Sequence, residues 1–164
     1  MRVLACALAL AFAPCVLAVD VGATAPELAI ARLDEPAQTL ALASLRGNVV
    51  YIDFWASWCV PCRLSMPALD ALYKQNRARG FAVVGVNKDV SAADARRFLG
   101  KVPVTFALAS DGQDAAARAF DVKAMPSGYL IDRKGVVRKV HRGFTAETAD
   151  TLAREIDALL KEPS

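Results

Sequence analysis

The sequence predicts an α/β fold built on a mixed central sheet with helices on both faces. Two apolar runs, Val49–Phe54 and Phe81–Asn87, are rich in β-branched and aromatic residues and too apolar to face water on either side, the pattern of buried central strands. Between them Met66, Leu69, Leu72 and Tyr73 recur at helical spacing, and Gly80 is placed to end that helix. Strand, helix, strand in this order implies a right-handed βαβ unit with parallel strands. The last third reads differently: SGYLID, an Arg133-Lys134-Gly135 turn and Val136–His141 form an antiparallel hairpin.

The remaining elements follow in chain order. Leu28–Ile30 and Leu40–Leu42 flank Asp34-Glu35-Pro36, turn chemistry between two short strands. Ser91, with Asp94 three residues on, resembles a helix start leading through Phe98 and Leu99 to Gly100. Val104–Leu108 reads as a short strand and Ala115–Phe120 as a short helix, while Thr145 caps a last helix whose apolar stripe is Leu152, Ile156, Leu159 and Leu160. No internal repeat or linker interrupts the chain.

The 164 residues give room for one domain with a sizeable core. A hydrophobic fraction of 55% with 9 Gly and 8 Pro excludes a disordered or collagen-like chain. The net charge of +3, evenly scattered, is no footprint for nucleic acid. With 4 Cys and a single His, a four-ligand zinc site and a dense disulfide framework are both disfavoured.

Residues 1–18 have the composition of a secretory signal peptide: a positive start at Arg2, an apolar run from Val3 to Phe12, and a small residue, Ala18, at the expected cleavage point. The run is short for a membrane span, and Pro14 lies near its end. Cys6 and Cys15 fall inside it, so the domain at 19–164 keeps only Cys59 and Cys62.

Those two stand in Trp58-Cys59-Val60-Pro61-Cys62, a C-x-x-C directly after a buried strand and at the start of a helix. Partial positive charge at a helix N-terminus stabilises a thiolate, so Cys59 is the expected nucleophile. Cys62, one turn on, is placed to resolve a mixed disulfide, and Pro61 sits where a missing N–H costs little. A purely structural disulfide closing so small a loop would restrain little of the unfolded chain. Half a zinc site would need a second pair of ligands, and only His141 remains.

Phe54-Trp55-Ala56-Ser57-Trp58-Cys59-Val60-Pro61-Cys62 resembles the active-site stretch of the thioredoxin superfamily. Ala124-Met125-Pro126, followed by Tyr129-Leu130-Ile131-Asp132, resembles its cis-proline segment. The opening Gly22–Leu28, the segment Leu45–Val50 and the extra residues before Pro126 are similar to the TlpA/ResA-like branch, bacterial extracytoplasmic thiol-disulfide oxidoreductases. The resemblance implies a thioredoxin-like fold with an N-terminal β-hairpin and a central insertion at about residues 88 to 121. It makes Asp53 the buried acid that accepts the Cys62 proton, Pro126 a cis-proline against the cysteines, and Met125 the residue offering its backbone to an extended substrate. Trp58 is expected at the contact surface and Trp55 in the core. Many TlpA/ResA-like relatives carry Glu three residues after the second cysteine; Ser65 stands there here, which leaves the proton work to Asp53. Arg138, Lys139, His141 and Arg142 read as a solvated basic strand edge.

The activity implied is disulfide reduction in the periplasm, since Val60-Pro61 adds no His to push the site toward oxidation. By family analogy the clients are disulfide-bearing proteins, apocytochrome c among them, and the electron donor is a membrane thiol carrier of the DsbD type. No cofactor or metal is implied. Two rival functions are set against this. Peroxide reduction is suggested by an N-terminal likeness to peroxiredoxins, although Ala56 occupies the position of their threonine. A metal- or haem-handling chaperone would have only Cys59, Cys62 and His141 as ligands.

Overall fold

The computed structural model describes residues 19–163; the segment read as a signal peptide lies outside them. Strands β1 (Ala29–Ala31) and β2 (Thr39–Ala41) pair antiparallel as a separate hairpin. Then come β3 (Val49–Trp55), α1 (Cys62–Asn76), β4 (Phe81–Asn87), α2 (Ala92–Leu99), β5 (Ala107–Ser110), α3 (Ala115–Ala119), β6 (Ser127–Ile131), β7 (Val137–Arg142) and α4 (Ala146–Lys161). The five-stranded sheet has the order β5-β4-β3-β6-β7. β3, β4 and β5 run parallel, and β6 and β7 are antiparallel to their neighbours.

Every residue of β3 is buried, as its apolar run requires of the middle strand of the sheet. Its alternation sorts the core into two layers. Val49, Tyr51 and Trp55 face α1, α2 and α4 with Met66, Leu69, Phe98, Leu152 and Ile156. Val50, Ile52 and Phe54 face the hairpin and α3 with Ile30, Leu42, Ala116 and Phe120. Asp53, in phase with Tyr51 and Trp55, therefore points to the α1 side. Tyr51 crosses Gly128 on β6, where a Cβ would fall 1.8 Å from the phenol oxygen, so only glycine fits opposite Asp53.

The turn at Gly80 has φ 88°, a left-handed conformation suited to glycine, and follows a 3-10 turn over Arg77–Arg79. The Thr145 cap forms with the Thr148 side chain completing a reciprocal pair of bonds. Ser91 is the N-cap of α2 by position, but its side chain makes no capping bond, and Asp94 pairs with Arg97 at 2.7 Å instead.

Two sequence expectations are displaced. The strand read at Val104–Leu108 starts at Ala107, because Thr105 donates its N–H and hydroxyl to Asp70 of α1 at 2.6 and 2.8 Å and is held off the sheet. The basic cluster on β7 is an ion-paired seam as well as an edge. Arg138 bonds Asp132 and Glu162, while Lys139 and His141 lie 3.5 and 3.0 Å from Glu155 of α4. Alternation in a strand carries no information about the acids a later helix brings over it.

Candidate active site

β3 ends at Trp55, and the chain turns through Ala56–Pro61 into α1. The Cys59 N–H donates to Ala56 O at 3.1 Å and the Cys62 N–H to Cys59 O at 3.2 Å, so the motif is a pair of tight turns feeding the helix. Pro61 occupies the N-cap position with helical backbone angles (φ −64°, ψ −21°), which leaves Cys59 outside the helix and Cys62 as its first residue. Cys59 and Cys62 are joined in a disulfide with their Cα atoms 5.3 Å apart. Cys62 is fully enclosed, and Cys59 keeps 4% of its surface, so approach from solvent is to Cys59.

The turn is anchored from below by a residue that motif reading passed over. Asp89, buried just after β4, accepts the Ser57 N–H at 3.0 Å and the Ser57 hydroxyl at 3.0 Å, and its other neighbour is the Asn87 amide at 2.9 Å. The only sequence signal was an acid two residues past a buried strand. Asp89→Ala is expected to lower stability by about 2 kcal/mol, since buried donors lose their acceptor. It should also speed amide exchange at Ser57 and Trp58; exchange measured by NMR on the disulfide form checks both.

Asp53 is 1% exposed and its Oδ2 has no hydrogen-bond partner. Loss of water around the carboxylate pushes its pKa up to about 8. Ser65, whose hydroxyl also donates toward the Cys62 carbonyl at 3.4 Å, opposes this rise without cancelling it. Asp53, Ser65, Cys59 and Cys62 thus lie on the α1 side of the sheet, with a protonatable carboxyl in the same layer as Cys62.

The Met125–Pro126 peptide is cis, and Pro126 is buried at the start of β6 while half-buried Met125 packs against the cluster that contains both cysteines. Trp55 is fully buried against Phe98, and Trp58 is 66% exposed. With Val60 and Leu64, Trp58 gives the disulfide an apolar, solvent-facing surround. His141, on β7, bonds toward Tyr51 and Glu155, and no group of three or more His, Cys, Asp or Glu residues among the described residues is arranged to hold a metal. Ala56, buried, offers no hydroxyl at the position where a peroxidatic loop carries threonine.

A sheet of this order with a disulfide at the β3–α1 junction and a cis-proline beginning β6 defines a thioredoxin-like dithiol protein. The Redoxin family model matches residues 20–157, and the chain belongs to that family. It is 32% identical to the thiol-disulfide oxidoreductase ResA of Geobacillus thermodenitrificans over 77% of this chain and 71% of that one. It is 30% identical to ResA of Bacillus subtilis over 77% and 70%. Among solved structures, a Chlorobium tepidum protein assigned as the thiol:disulfide interchange protein DsbE superposes with a TM-score of 0.83 at 40% identity, covering 87% of this chain and 99% of its own. A Bacteroides thetaiotaomicron protein assigned as a protein disulfide isomerase gives 0.79 at 32%, covering 88% and 92%. The chain is a thiol-disulfide oxidoreductase of the thioredoxin superfamily, with Cys59 and Cys62 as its dithiol.

Proposed function

We propose that this protein is an extracytoplasmic reductase of disulfides in client proteins, exported by the signal peptide at residues 1–18 and working in the periplasm. The observation that carries the mechanism is the placement of fully enclosed Cys62 beneath Cys59, which keeps a small solvent-facing edge, with buried Asp53, whose Oδ2 has no hydrogen-bond partner, on the same face of the sheet. The Cys59 thiolate attacks one client sulfur, forming a mixed disulfide and releasing the other sulfur as a client thiolate. Cys62 gives its proton to ionised Asp53 and attacks Cys59, closing the disulfide and releasing the client's second sulfur. Two electrons pass to the client. Met125, beside cis Pro126, offers its backbone to the extended client segment, and Trp58 and Pro61 line the approach.

Among the described residues no helix is long and apolar enough to cross a membrane. An oxidising compartment would leave such a dithiol spent after one turnover. A membrane thiol carrier of the DsbD type is therefore the electron donor we assign, with apocytochrome c among the clients.

The cellular redox state of the dithiol tests this. Acid quenching and thiol alkylation should find Cys59 and Cys62 mostly reduced in growing cells, and oxidised once the membrane donor is deleted. A dithiol found oxidised in the presence of its donor contradicts the reductive role.

A further inference from the structure

Beside the disulfide lies a cleft of about 170 Å³ lined by Ser57, Arg63, Asp94, Arg97, Phe98 and Lys101, among others. Its walls include the residue two before Cys59 and the residue directly after Cys62, so it opens from the active-site turn itself. Asp94 is engaged by Arg97 at 2.7 Å. Arg63 and Lys101, both exposed, have no carboxylate partner among the described residues, and the cleft carries uncompensated positive charge. The same turn and helix also carry exposed apolar side chains, chain neighbours of the lining residues Ser57 and Arg63: Trp58, Val60 and Leu64, at 66%, 73% and 51% exposure. Large apolar groups grouped at a reactive bond, with cations at one rim, form a surface shaped for a partner.

We propose that this surface selects clients whose cysteine is flanked by an acidic side chain, the carboxylate entering the cleft between Arg63 and Lys101 while the neighbouring segment covers Trp58 and Val60. The occupant is an acidic peptide segment because both unpaired groups on the rim are cations and the only acid in the cleft is already neutralised by Arg97. A basic segment would meet like charge at the same rim. The inference rests on the oxidoreductase acting as a reductant, and it adds which disulfides that reductant prefers.

The test compares two disulfide-linked peptides, identical except for Glu or Gln at the residues flanking the cysteine, as substrates of the reduced protein at low ionic strength. The Glu peptide should be reduced about fivefold faster, the effect of roughly 1 kcal/mol from partly exposed charge pairs. The Glu-to-Gln rate ratio should fall to about one in the R63Q/K101Q double variant, survive in R63K/K101R, and shrink as salt screens the rim. Because a ratio is read within each variant, general damage to the dithiol cancels. A ratio of one in the unmodified protein, or a preference that persists in R63Q/K101Q, overturns the selectivity while leaving reduction intact. Failure to reduce either peptide overturns the reductase itself, and the selectivity with it.

Discussion

Cys59→Ser is expected to abolish disulfide exchange, whereas Cys62→Ser should still attack and then stall as a mixed disulfide through Cys59. The asymmetry follows from access. Cys59 retains a solvent-facing edge at the turn and Cys62 has none, so only Cys59 can meet a client sulfur first, and only Cys62 is held close enough to resolve the product. The expected loss for Cys59→Ser is at least about a thousandfold, since removing a nucleophile leaves no alternative route. Mass spectrometry of the Cys62→Ser protein after mixing with a disulfide client should show the adduct on Cys59. Alkylation of the reduced protein that modified Cys62 faster than Cys59 near neutral pH contradicts the assignment.

Asp53→Asn should stabilise the disulfide form and slow the resolving step. The stability effect has a definite pH window. Burial raises the carboxyl from 3.8 to about 8, so between those values the folded protein holds a proton that the unfolded chain has released. Raising the pH across this interval therefore costs stability, and the cost is complete once the pH passes the folded value. Asn carries no such penalty. The variant's advantage should be near zero below about pH 4, grow to about 4 kcal/mol near pH 7, and level off above about pH 8. Urea titrations at several pH values read this directly, and a gap that shrank with rising pH would contradict it. For the proposed relay the sign is opposite: only the ionised carboxylate could take the Cys62 proton, and about a tenth of it is ionised at pH 7. Resolution in the unmodified protein should accelerate toward pH 8, and Asp53→Asn should lose that acceleration while its first attack by Cys59 is nearly unchanged. Equal slowing of both steps would mark a general structural effect.

Much of this was legible in the chain because local chemistry and global fold agree. The run Val49–Phe54 is fully apolar apart from Asp53, which makes the lone acid conspicuous in the sequence itself, and the central strand the run predicts is buried throughout. The C-x-x-C carries its own context, strand before and helix after, and Trp58 and Trp55 divide into surface and core as their positions suggested. What escaped the sequence depends on contacts distant along the chain. Asp89 reads as one more loop acid until the fold brings it 3.0 Å from the Ser57 N–H. Thr105 moves the start of β5 by binding Asp70, 35 residues earlier. The pairing of Lys139 and His141 with Glu155 needs α4 laid against β7, and the cleft at Arg63 and Lys101 needs α1 set beside the end of α2. Periodicity specifies which face of an element is apolar, and it does not specify which charged residue another element will place opposite.

The central claim is that the dithiol is reducing, and its potential tests that most directly. The α1 terminus favours a Cys59 thiolate, but Val60 and Pro61 add neither a positive charge nor a side-chain donor, and Pro61 lacks even an N–H. The cations at Arg63 and Lys101 are exposed, where water and salt weaken their pull on the sulfur. The reduced state therefore gains only moderate stabilisation. Equilibration with glutathione, followed through the fluorescence of Trp55 and Trp58, should give a value nearer the roughly −270 mV of thioredoxin than the roughly −120 mV of a strong periplasmic oxidant. These limits differ by about 7 kcal/mol for two electrons, so the outcome is well resolved. A potential above about −150 mV would place the protein among the oxidants and contradict its assignment as a reductase.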